Sequence, residues 1–390
     1  MPTPNRLSWE QKAKLVQELA AKGESVSALC LRWRISRRCA YKWWRRWRDG
    51  GLEALRERSR APRRQPRRMG AVWSARIGAA RGRHPRWGAR KLRALLRREH
   101  PRARVPAAST IGAELRQLGC TLGAPRRPRG PEAVWAPTFG ARRANEVWTV
   151  DFKGWYRTGD GRRVDPLTVR DLHSRYVLRI GLLTGQGLAQ TRREFDRIFK
   201  EHGLPERIRC DNGTPFGGGG PTGLTRLSAW WVRLGIAVEF MTPGRPCENG
   251  AHEQFHRVYK AEVARSAART RAGQQRRSTR WQGDYNRQRP HEGLGMEVPA
   301  GRYRKNRRRL PGRLMPWTYA AGWERRWVRG NGEINWRGAR RYVGEAFVGA
   351  HVGLKPVRRG VWRVHFGPVL VGELHAAERG GLRSHVSPIL

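Results

Sequence analysis

The stretch VWTVDFK, residues 147–153, decides the fold, because its apolar and polar side chains alternate as they do in a half-buried strand. Two further apolar, β-branched runs follow within DPLTVRDLHSRYVLRIGLL. Helical and strand patterns then alternate along the chain in AQTRREFDRIFKEHG (189–203), RIRCDNG (207–213), a helix around 227–234, AVEFM (237–241) and CENGAHEQFHRVYKAEVARSAA (247–268). Three strands followed by this alternation predict a mixed α/β sheet with helices on both faces.

Three acidic residues in this stretch lie in strands or at the start of a helix, which are rigid parts of a fold. Asp151 lies inside the first strand, Asp211 ends a later strand, and Glu253 lies in the first turns of the last helix. Carboxylates in apolar strands are costly unless a cation binds them, and two Mg²⁺ ions about 4 Å apart would clamp the oxygens of a phosphoryl transfer. Lys260 follows Glu253 by two helical turns, so it shares that helix face and can reach a phosphate. Taken singly, each carboxylate also fits a structural role, as a strand end, a turn residue or an exposed helix charge.

Other polar residues nearby are weaker candidates for catalysis. Asp160 and Asp165 fit positions in a hairpin turn, and Asp171 fits a charged residue where a strand passes into a turn. His252 points about 100° away from Glu253 around the helix, so we expect a surface or DNA-facing group. The run GGGGPTG, residues 217–223, lacks the Lys and Ser/Thr of a phosphate-binding loop, so no small-molecule substrate is indicated.

The amino-terminal segment has the layout of a helix-turn-helix. Ser8 with Gln11 forms a possible capping box for a first helix, and Ser25 and Ser36 can cap a second and a third. In the third helix an apolar stripe recurs at helical spacing, namely Ala40, Trp43, Trp44 and Trp47. Basic residues lie on the opposite face and at the start of this helix, where a recognition helix contacts a major groove: Arg37, Arg38, Lys42 and Arg45.

Composition divides the rest of the chain. The helix-turn-helix domain covers residues 1–57, and a basic linker, 58–71, leads to a second helical DNA-binding domain, 72–122, in which Ser109 or Thr110 caps the last helix. A second linker covers 123–143, and the α/β core covers 144–312. Short strands broken by Gly-containing turns predict a small antiparallel β-barrel over 320–390.

The overall charge points to a polyanionic partner. The 390 residues include 81 Lys and Arg against 31 Asp and Glu, a net charge of +50. Such an excess favours nucleic acid over ribosome-like or membrane-surface alternatives. Five scattered cysteines without zinc-ligand spacing indicate reduced thiols, and no apolar run of membrane-spanning or signal-peptide length occurs. We therefore expect a soluble, cytoplasmic protein without a membrane partner.

Three short motifs resemble the signature blocks of a known family. W-T-V-D at 148–151, C-D-N-G at 210–213 and P-x-x-N-G-x-x-E-x-x-x-x-x-x-K at 246–260 are similar to those of the DDE transposases of bacterial insertion sequences, whose catalytic core is of the retroviral-integrase type. D-x-x-S-R at 171–175, Y-N-x-x-R-P-H at 285–291 and H-P-x-W-G-x-R-K-L at 84–92 resemble flanking segments of that family. The order of parts is similar over nearly the whole chain.

The resemblance implies an RNase H-like core at 144–312 in which Asp151, Asp211 and Glu253 bind two Mg²⁺ ions, or Mn²⁺, with Lys260 beside the DNA phosphate. It implies a bacterial, nucleoid-associated transposase that binds the inverted repeats of its element as a homo-oligomer and joins the cleaved ends to double-stranded target DNA. The glycine-rich residues 217–220 lengthen the interval between the second and third carboxylates beyond the family's usual length. The alternatives are a non-catalytic DNA-binding regulator derived from a transposase and an RNase H-like nuclease without joining activity.

Overall fold

A computed structural model describes residues 7–57, 69–121, 140–220, 222–242 and 250–383. The chain separates into two compact units, Met1–Met69 and Gly70–Leu390. Most of both predicted linkers lies outside the described residues, as do Pro246 and Asn249 of the third motif.

The first unit is the predicted three-helix arrangement. Its helices are α1 (Trp9–Ala21), α2 (Val26–Arg32) and α3 (Arg37–Gly50), followed by a 3₁₀ turn at Leu52–Leu55. Ser8 and Gln11 form the predicted capping box, and the Ser25 and Ser36 side chains accept from backbone N–H groups. The core contains Leu15, Val16, Trp43 and Leu55. Of the predicted apolar stripe of α3, Ala40 and Trp43 are buried, while Trp44 and Trp47 are half-buried.

The second unit begins with three more helices. They are α4 (Ala71–Arg83), α5 (Ala89–Glu99) and α6 (Ala108–Gln117). The predicted cap at Ser109 or Thr110 is wrong, because α6 begins at Ala108 with Ala107 in the N-cap position, so both hydroxyl residues lie inside its first turn. Leu92, Leu95 and Leu96 of α5 are buried.

A six-stranded mixed sheet forms the centre of the second unit. Its strands are β1 (Val147–Phe152), β2 (Tyr156–Arg157), β3 (Arg163–Asp171), β4 (Val177–Leu183), β5 (Arg207–Cys210) and β6 (Ala237–Phe240). The order is β2-β3-β1-β5-β6, with β4 also paired to β3. The pairs β1–β3 and β3–β4 are antiparallel, whereas β1–β5 and β5–β6 are parallel.

Helices cover both faces of this sheet, as predicted. On one face, α7 (Leu188–His202) and α8 (Arg226–Arg233) pack with Trp148 and Val150 of β1 in a large apolar cluster. On the other, α9 (Gly250–Glu262) and α10 (Arg271–Arg287) pack against Val164 and Ile180 through Phe255, Tyr259 and Tyr285. We call these the apolar face and the α9 face. A short helix, α11 (Pro299–Arg302), follows α10.

Helix α10 was not predicted from the sequence, and it protects the outer edge of β4. Asn286 accepts from Val177 N at 2.8 Å and donates to Val177 O at 2.9 Å. Gln282 and Gln275 accept from Ile180 N and Leu182 N in the same way. Side-chain amides therefore satisfy backbone groups that would otherwise be exposed at a sheet edge, which gives the Y-N motif a structural role.

Two acidic residues set aside as non-catalytic have structural roles in β3. Asp165 is fully buried within the strand, where Arg163 binds both of its oxygens at 2.9 Å, so the predicted turn position is wrong for this residue. Asp171 ends β3, as predicted, and accepts hydrogen bonds from Asn145 N and from Ser174 N and Oγ. The D-x-x-S-R motif thus closes the turn after β3.

The carboxy-terminal strands form two antiparallel sheets. They are β7 (Glu324–Trp327), β8 (Glu333–Trp336), β9 (Ala339–Tyr342), β10 (His351–Arg358), β11 (Val361–Phe366) and β12 (Val369–His375). The order β12-β11-β10-β7 forms one sheet, and β8 pairs with β9 in the other. The predicted strand-rich region is confirmed, whereas no pairing among the described residues closes it, so the barrel stays a prediction.

Candidate functional site

The register of the sheet brings Asp151 and Asp211 to neighbouring positions. In the parallel pair β1–β5, Val147 lies opposite Arg207 and Thr149 opposite Arg209. Asp151 and Asp211 each lie two residues beyond the last of these pairs, Thr149 and Arg209, and neighbouring strands of a sheet are about 4.8 Å apart. Because side chains alternate along a strand, both aspartates lie on the α9 face, opposite the buried apolar residues next to them.

Asp211 is half-buried just after β5. Burial raises the pKa of its carboxyl, and a hydrogen bond from Gly213 N at 3.3 Å to Oδ1 acts in the opposite direction. Asn212 donates to Met241 O at 2.7 Å, which ties this loop to the end of β6. Asn212 thus shapes the loop, while the Asp211 carboxylate is partly desolvated.

Helix α9 is fixed above Asp151 by buried polar contacts. The Thr168 hydroxyl of β3 lies 2.7 Å from His252 Nε2, 2.8 Å from His256 Nε2 and 3.0 Å from the Asp151 carbonyl oxygen. His252 Nδ1 lies 3.0 Å from Thr149 Oγ1. His256 Nδ1 lies 3.8 Å from Asp151 Oδ2. The helix is thereby attached to both β1 and β3 at the level of the aspartate.

His252 is therefore not a surface or DNA-facing group. Only 1% of it is exposed, and burial lowers the pKa of its imidazole far below the usual value, so it is neutral. Helical periodicity alone could not show which side of α9 meets the sheet. The available signal was in the strands, where Thr149 and Thr168 are polar residues at positions that would otherwise be apolar.

The carboxylate of Glu253 does not join the other two in this structure. Its residue lies one position after His252 and one turn before His256, so its backbone is in the part of α9 that packs beside Asp151. The side chain, however, is exposed. Within the described ranges, no group of three or more His, Cys, Asp or Glu side chains is close enough to hold a metal ion.

Two lysines lie at the carboxyl end of β1. Lys260 is exposed on α9, one turn beyond His256. Lys153 follows Asp151 by two residues, and its pKa is lowered, chiefly by burial and further by the positive charge of Lys260. Sequence reasoning selected Lys260 and missed Lys153, although a lysine two positions after Asp151 in the strand pattern must share its face.

The predicted DNA-contacting residues of α3 are exposed. Arg37, Arg38, Lys42 and Arg45 all lie on the surface of the first unit. Arg37 donates to Ser27 of α2, so it also fixes the turn between the helices. The Lys42 ammonium lies 4.5 Å from the centre of the Trp43 ring. This face presents positive charge beside aromatic surface, an arrangement suited to phosphate contacts.

Five family profiles match parts of the chain. Integrase core domain profiles match residues 141–246 and 234–299. A helix-turn-helix domain profile matches 11–63, and a homeodomain-like domain profile matches 39–115. The profile of the IS481 family transposase C-terminal domain matches 324–380.

Two insertion-element proteins are similar in sequence. The uncharacterised 31.7 kDa protein of insertion element IS407 from Burkholderia multivorans is 27% identical over 237 residues, 60% of this chain and 82% of that protein. The uncharacterised 39.2 kDa protein of insertion element IS476 from Xanthomonas euvesicatoria is 28% identical over 230 residues, 58% of this chain and 63% of that protein. Together, these profiles and relatives support an insertion-sequence transposase with an integrase-type core. The family predicted from the motifs is thus confirmed.

Solved structures give more distant likenesses to the transposase. The HTLV-2 integrase catalytic core domain, solved with magnesium, is 14% identical and matches 43% of the transposase and 100% of that chain, with a TM-score of 0.34. The simian T-cell lymphotropic virus intasome, solved with PP2A regulatory subunit B56 gamma, is 14% identical and matches 76% and 97%, with a TM-score of 0.37. No described helix of the transposase is long and apolar enough to cross a membrane.

Proposed function

We propose that the transposase binds the terminal inverted repeats of its element and joins the cleaved ends to target DNA at a site formed by Asp151, Asp211 and Glu253. The observation that supports this is the parallel pairing of β1 with β5, because Asp151 and Asp211 each lie two residues beyond the pair Thr149 and Arg209, in a chain with a net charge of +50. Removing two neighbouring carboxylates partly from water costs free energy, and a bound cation would offset that cost.

The residues present fit a divalent cation. Carboxylate oxygens are the ligands that Mg²⁺ and Mn²⁺ prefer, and a bound cation would offset the burial that raises the pKa of Asp211. The chemistry that two such ions supply is activation of water or of a DNA 3′-hydroxyl and neutralisation of charge on the reacting phosphate. We infer that Glu253 completes the ligand set by rotating its exposed side chain towards Asp151, since its backbone is already beside it.

The remaining residues of the site hold and orient the DNA. Lys260 and Lys153 place two ammonium groups on the α9 face, where they bind the phosphate next to the bond that breaks. The Thr168 hydroxyl fixes the carbonyl of Asp151, so the carboxylate is held by a rigid strand and not by a loop. The reaction needs no small-molecule substrate.

The helices before residue 121 provide sequence-specific contacts. In the proposed complex, Arg38, Lys42 and Arg45 of α3 enter the major groove, while Arg37 at its start meets the phosphate backbone. Because two element ends must be joined together, the active species is a homo-oligomer on double-stranded DNA. We also propose that the carboxy-terminal strands form a small antiparallel β-barrel and that the protein is located on the bacterial nucleoid.

The test uses a labelled duplex ending in the element's inverted repeat, taken from the DNA beside the gene. Asp151→Asn and Glu253→Gln should abolish Mg²⁺- or Mn²⁺-dependent cleavage and joining while leaving binding of the duplex nearly unchanged. Arg38→Ala with Lys42→Ala is the matched control, which should weaken binding and leave the metal dependence intact. Full joining activity in either acid variant would refute the assignment.

A non-catalytic regulator is the second candidate. It is favoured by the exposed side chain of Glu253 and by the absence, within the described ranges, of a preassembled cluster of three ligands. That protein would bind the duplex without cutting it at any concentration of Mn²⁺. A nuclease without joining activity would yield cleaved strands and no joined product in the same assay.

A further inference from the structure

Trp155 presents an aromatic ring to solvent close to the candidate site. It lies in the loop between β1 and β2, four residues after Asp151, and 54% of its surface is exposed. Four residues of chain span at most about 14 Å, which corresponds to about four nucleotide steps of roughly 3.4 Å along a DNA strand. A nucleotide within about four steps of a phosphate at Asp151 is therefore within reach of this ring.

Two guanidinium groups lie beside the ring. The Cζ atom of Arg163 is 5.2 Å from the ring centre, and that of Arg157 is 5.8 Å from it. The two arginines are directly opposite each other in the β2–β3 pair, so the hairpin itself brings both to the ring. Exposed aromatic rings beside arginines are typical of sites that bind single-stranded nucleic acid, where the ring stacks on a base and the guanidinium groups contact phosphate.

The hairpin that carries the ring is fixed to the rest of the core. Arg163 donates to both carboxylate oxygens of the buried Asp165, each at 2.9 Å. At the tip of the hairpin, Gly159 N donates to Ala268 O, in the segment before α10, at 3.0 Å. A ring on such a support is already in place before DNA binds, which reduces the entropy lost on binding.

A stacking ring distinguishes unpaired bases from paired ones. Inside a duplex, neighbouring bases cover both faces of each base, so a side chain can stack only on a terminal base or on one displaced from the helix. Cleavage of a strand at the candidate site creates such terminal bases beside the broken bond. The ring and the positive charge of Arg157 together fit a nucleotide of this kind better than they fit intact duplex.

We propose that Trp155 stacks on an unpaired base of the DNA end, within about four nucleotides of the bond that breaks, while Arg157 contacts a neighbouring phosphate. The transposase thereby favours an opened DNA end over a fully paired one. Arg163, whose charge is paired with Asp165, supports the ring. The proposal rests on the proposed function, because it places the DNA strand at Asp151.

The affinity of the untagged full chain for two duplexes tests this, in buffer without divalent cations so that no strand is cut. Both contain the end of the inverted repeat. One is fully paired, and the other is mismatched over about four positions on each side of that end. The wild type should bind the mismatched duplex about tenfold more tightly than the paired one. Trp155→Ala should bind both alike, and Trp155→Phe, which keeps an aromatic ring, should retain most of the difference.

Trp327→Ala is the matched control, because Trp327 is 52% exposed in β7 and its removal should leave the difference unchanged. Photo-crosslinking from 5-iodouracil placed at the mismatched positions should join the DNA to Trp155, as identified by mass spectrometry. An equal preference for the mismatched duplex in the wild type and Trp155→Ala, or crosslinks at other residues alone, would overturn the proposal.

Two further outcomes separate this proposal from its neighbours. If Trp155→Ala impairs assembly on DNA but keeps the preference for the mismatched duplex, the ring contacts a second copy of the chain and the proposal is wrong. If the preference and the crosslink depend on Trp155 but the wild type neither cuts nor joins strands in Mn²⁺, the stacking site stands and the proposed function fails.

Discussion

The two faces of the central sheet are built from the same strands but have different roles. On the apolar face, Trp148 and Val150 of β1 pack with Phe195, Phe199 and Trp231, all with at most 1% exposure. On the α9 face, the alternate residues of the same strand and its neighbour are polar, and they bond to histidines of α9.

The difference separates stability from positioning. Apolar packing contributes free energy roughly in proportion to buried area and is indifferent to small changes in direction. Hydrogen bonds between buried groups contribute less net free energy but fix atoms relative to one another, and they are costly when one partner is lost. The α9 face therefore fixes the polar atoms around Asp151 relative to one another, and the apolar face contributes stability through buried apolar area.

The largest effect on stability is expected on the apolar face. Phe195 is fully buried, with ring centres 5.5 Å from Phe199 and 4.8 Å from Trp231. Phe195→Ala should lower the free energy of unfolding by about 3–5 kcal/mol, measured by chemical denaturation, because it leaves a cavity. Phe195→Leu, the control, should retain most of that stability. A loss below about 1 kcal/mol for the alanine variant would contradict the larger contribution of the apolar face to stability.

On the α9 face, Thr168→Val should lower the free energy of unfolding by about 2 kcal/mol, since it keeps the volume and removes a hydroxyl with three partners. It should also reduce strand joining well beyond this loss of stability, because Asp151 and α9 are no longer fixed together. Thr149→Val, which removes only the bond to His252, is the milder control. Equal joining activity in the wild type and Thr168→Val would contradict a positioning role.

The histidines of the α9 face should make stability depend on pH. Burial and neighbouring positive charge lower the pKa of His256 to about 3 in the folded protein, against about 6.5 when unfolded. Below pH 6.5 the unfolded chain takes up a proton that the folded chain does not, so stability is lost as the pH falls from 6.5 towards 3. In chelator-containing buffer, His256→Gln should reduce this slope by about 1.4 kcal/mol per pH unit. Phe199→Leu, on the apolar face, should leave the slope unchanged.

The smallest effect is expected at the edge of the sheet. Gln282 is half-buried, accepts from Ile180 N at 3.2 Å and donates to the carbonyls of Val177 and Leu178. Gln282→Ala should cost about 1 kcal/mol of unfolding free energy, because water can replace part of these bonds. Gln288→Ala, at an exposed position just after α10, serves as control and should change stability by less than about 0.5 kcal/mol.

Sequence reasoning succeeded where one local pattern had one structural solution. The alternation in VWTVDFK, the serine caps at positions 8, 25 and 36, and the Gly-containing turns after residue 320 each specify their element locally. It failed for α10, whose chain of Gln, Arg and Thr residues has little apolar periodicity because its inward side chains bond to a strand edge. It also failed for Asp165, because the Arg163 that pairs with it was not distinguished from the other arginines.

The amino-acid sequence by itself determined the order of helices and strands, the positive charge and the three motifs, since these depend on residue type and short-range spacing. Only the tertiary structure decided which side of α9 meets the sheet, and with it the burial of His252, the approach of His256 to Asp151 and the exposure of Glu253. The reason is that the rotation of a helix about its axis is set by the partners on the surface it covers. Those partners, Thr149 and Thr168, lie more than 80 positions away from His252 along the chain.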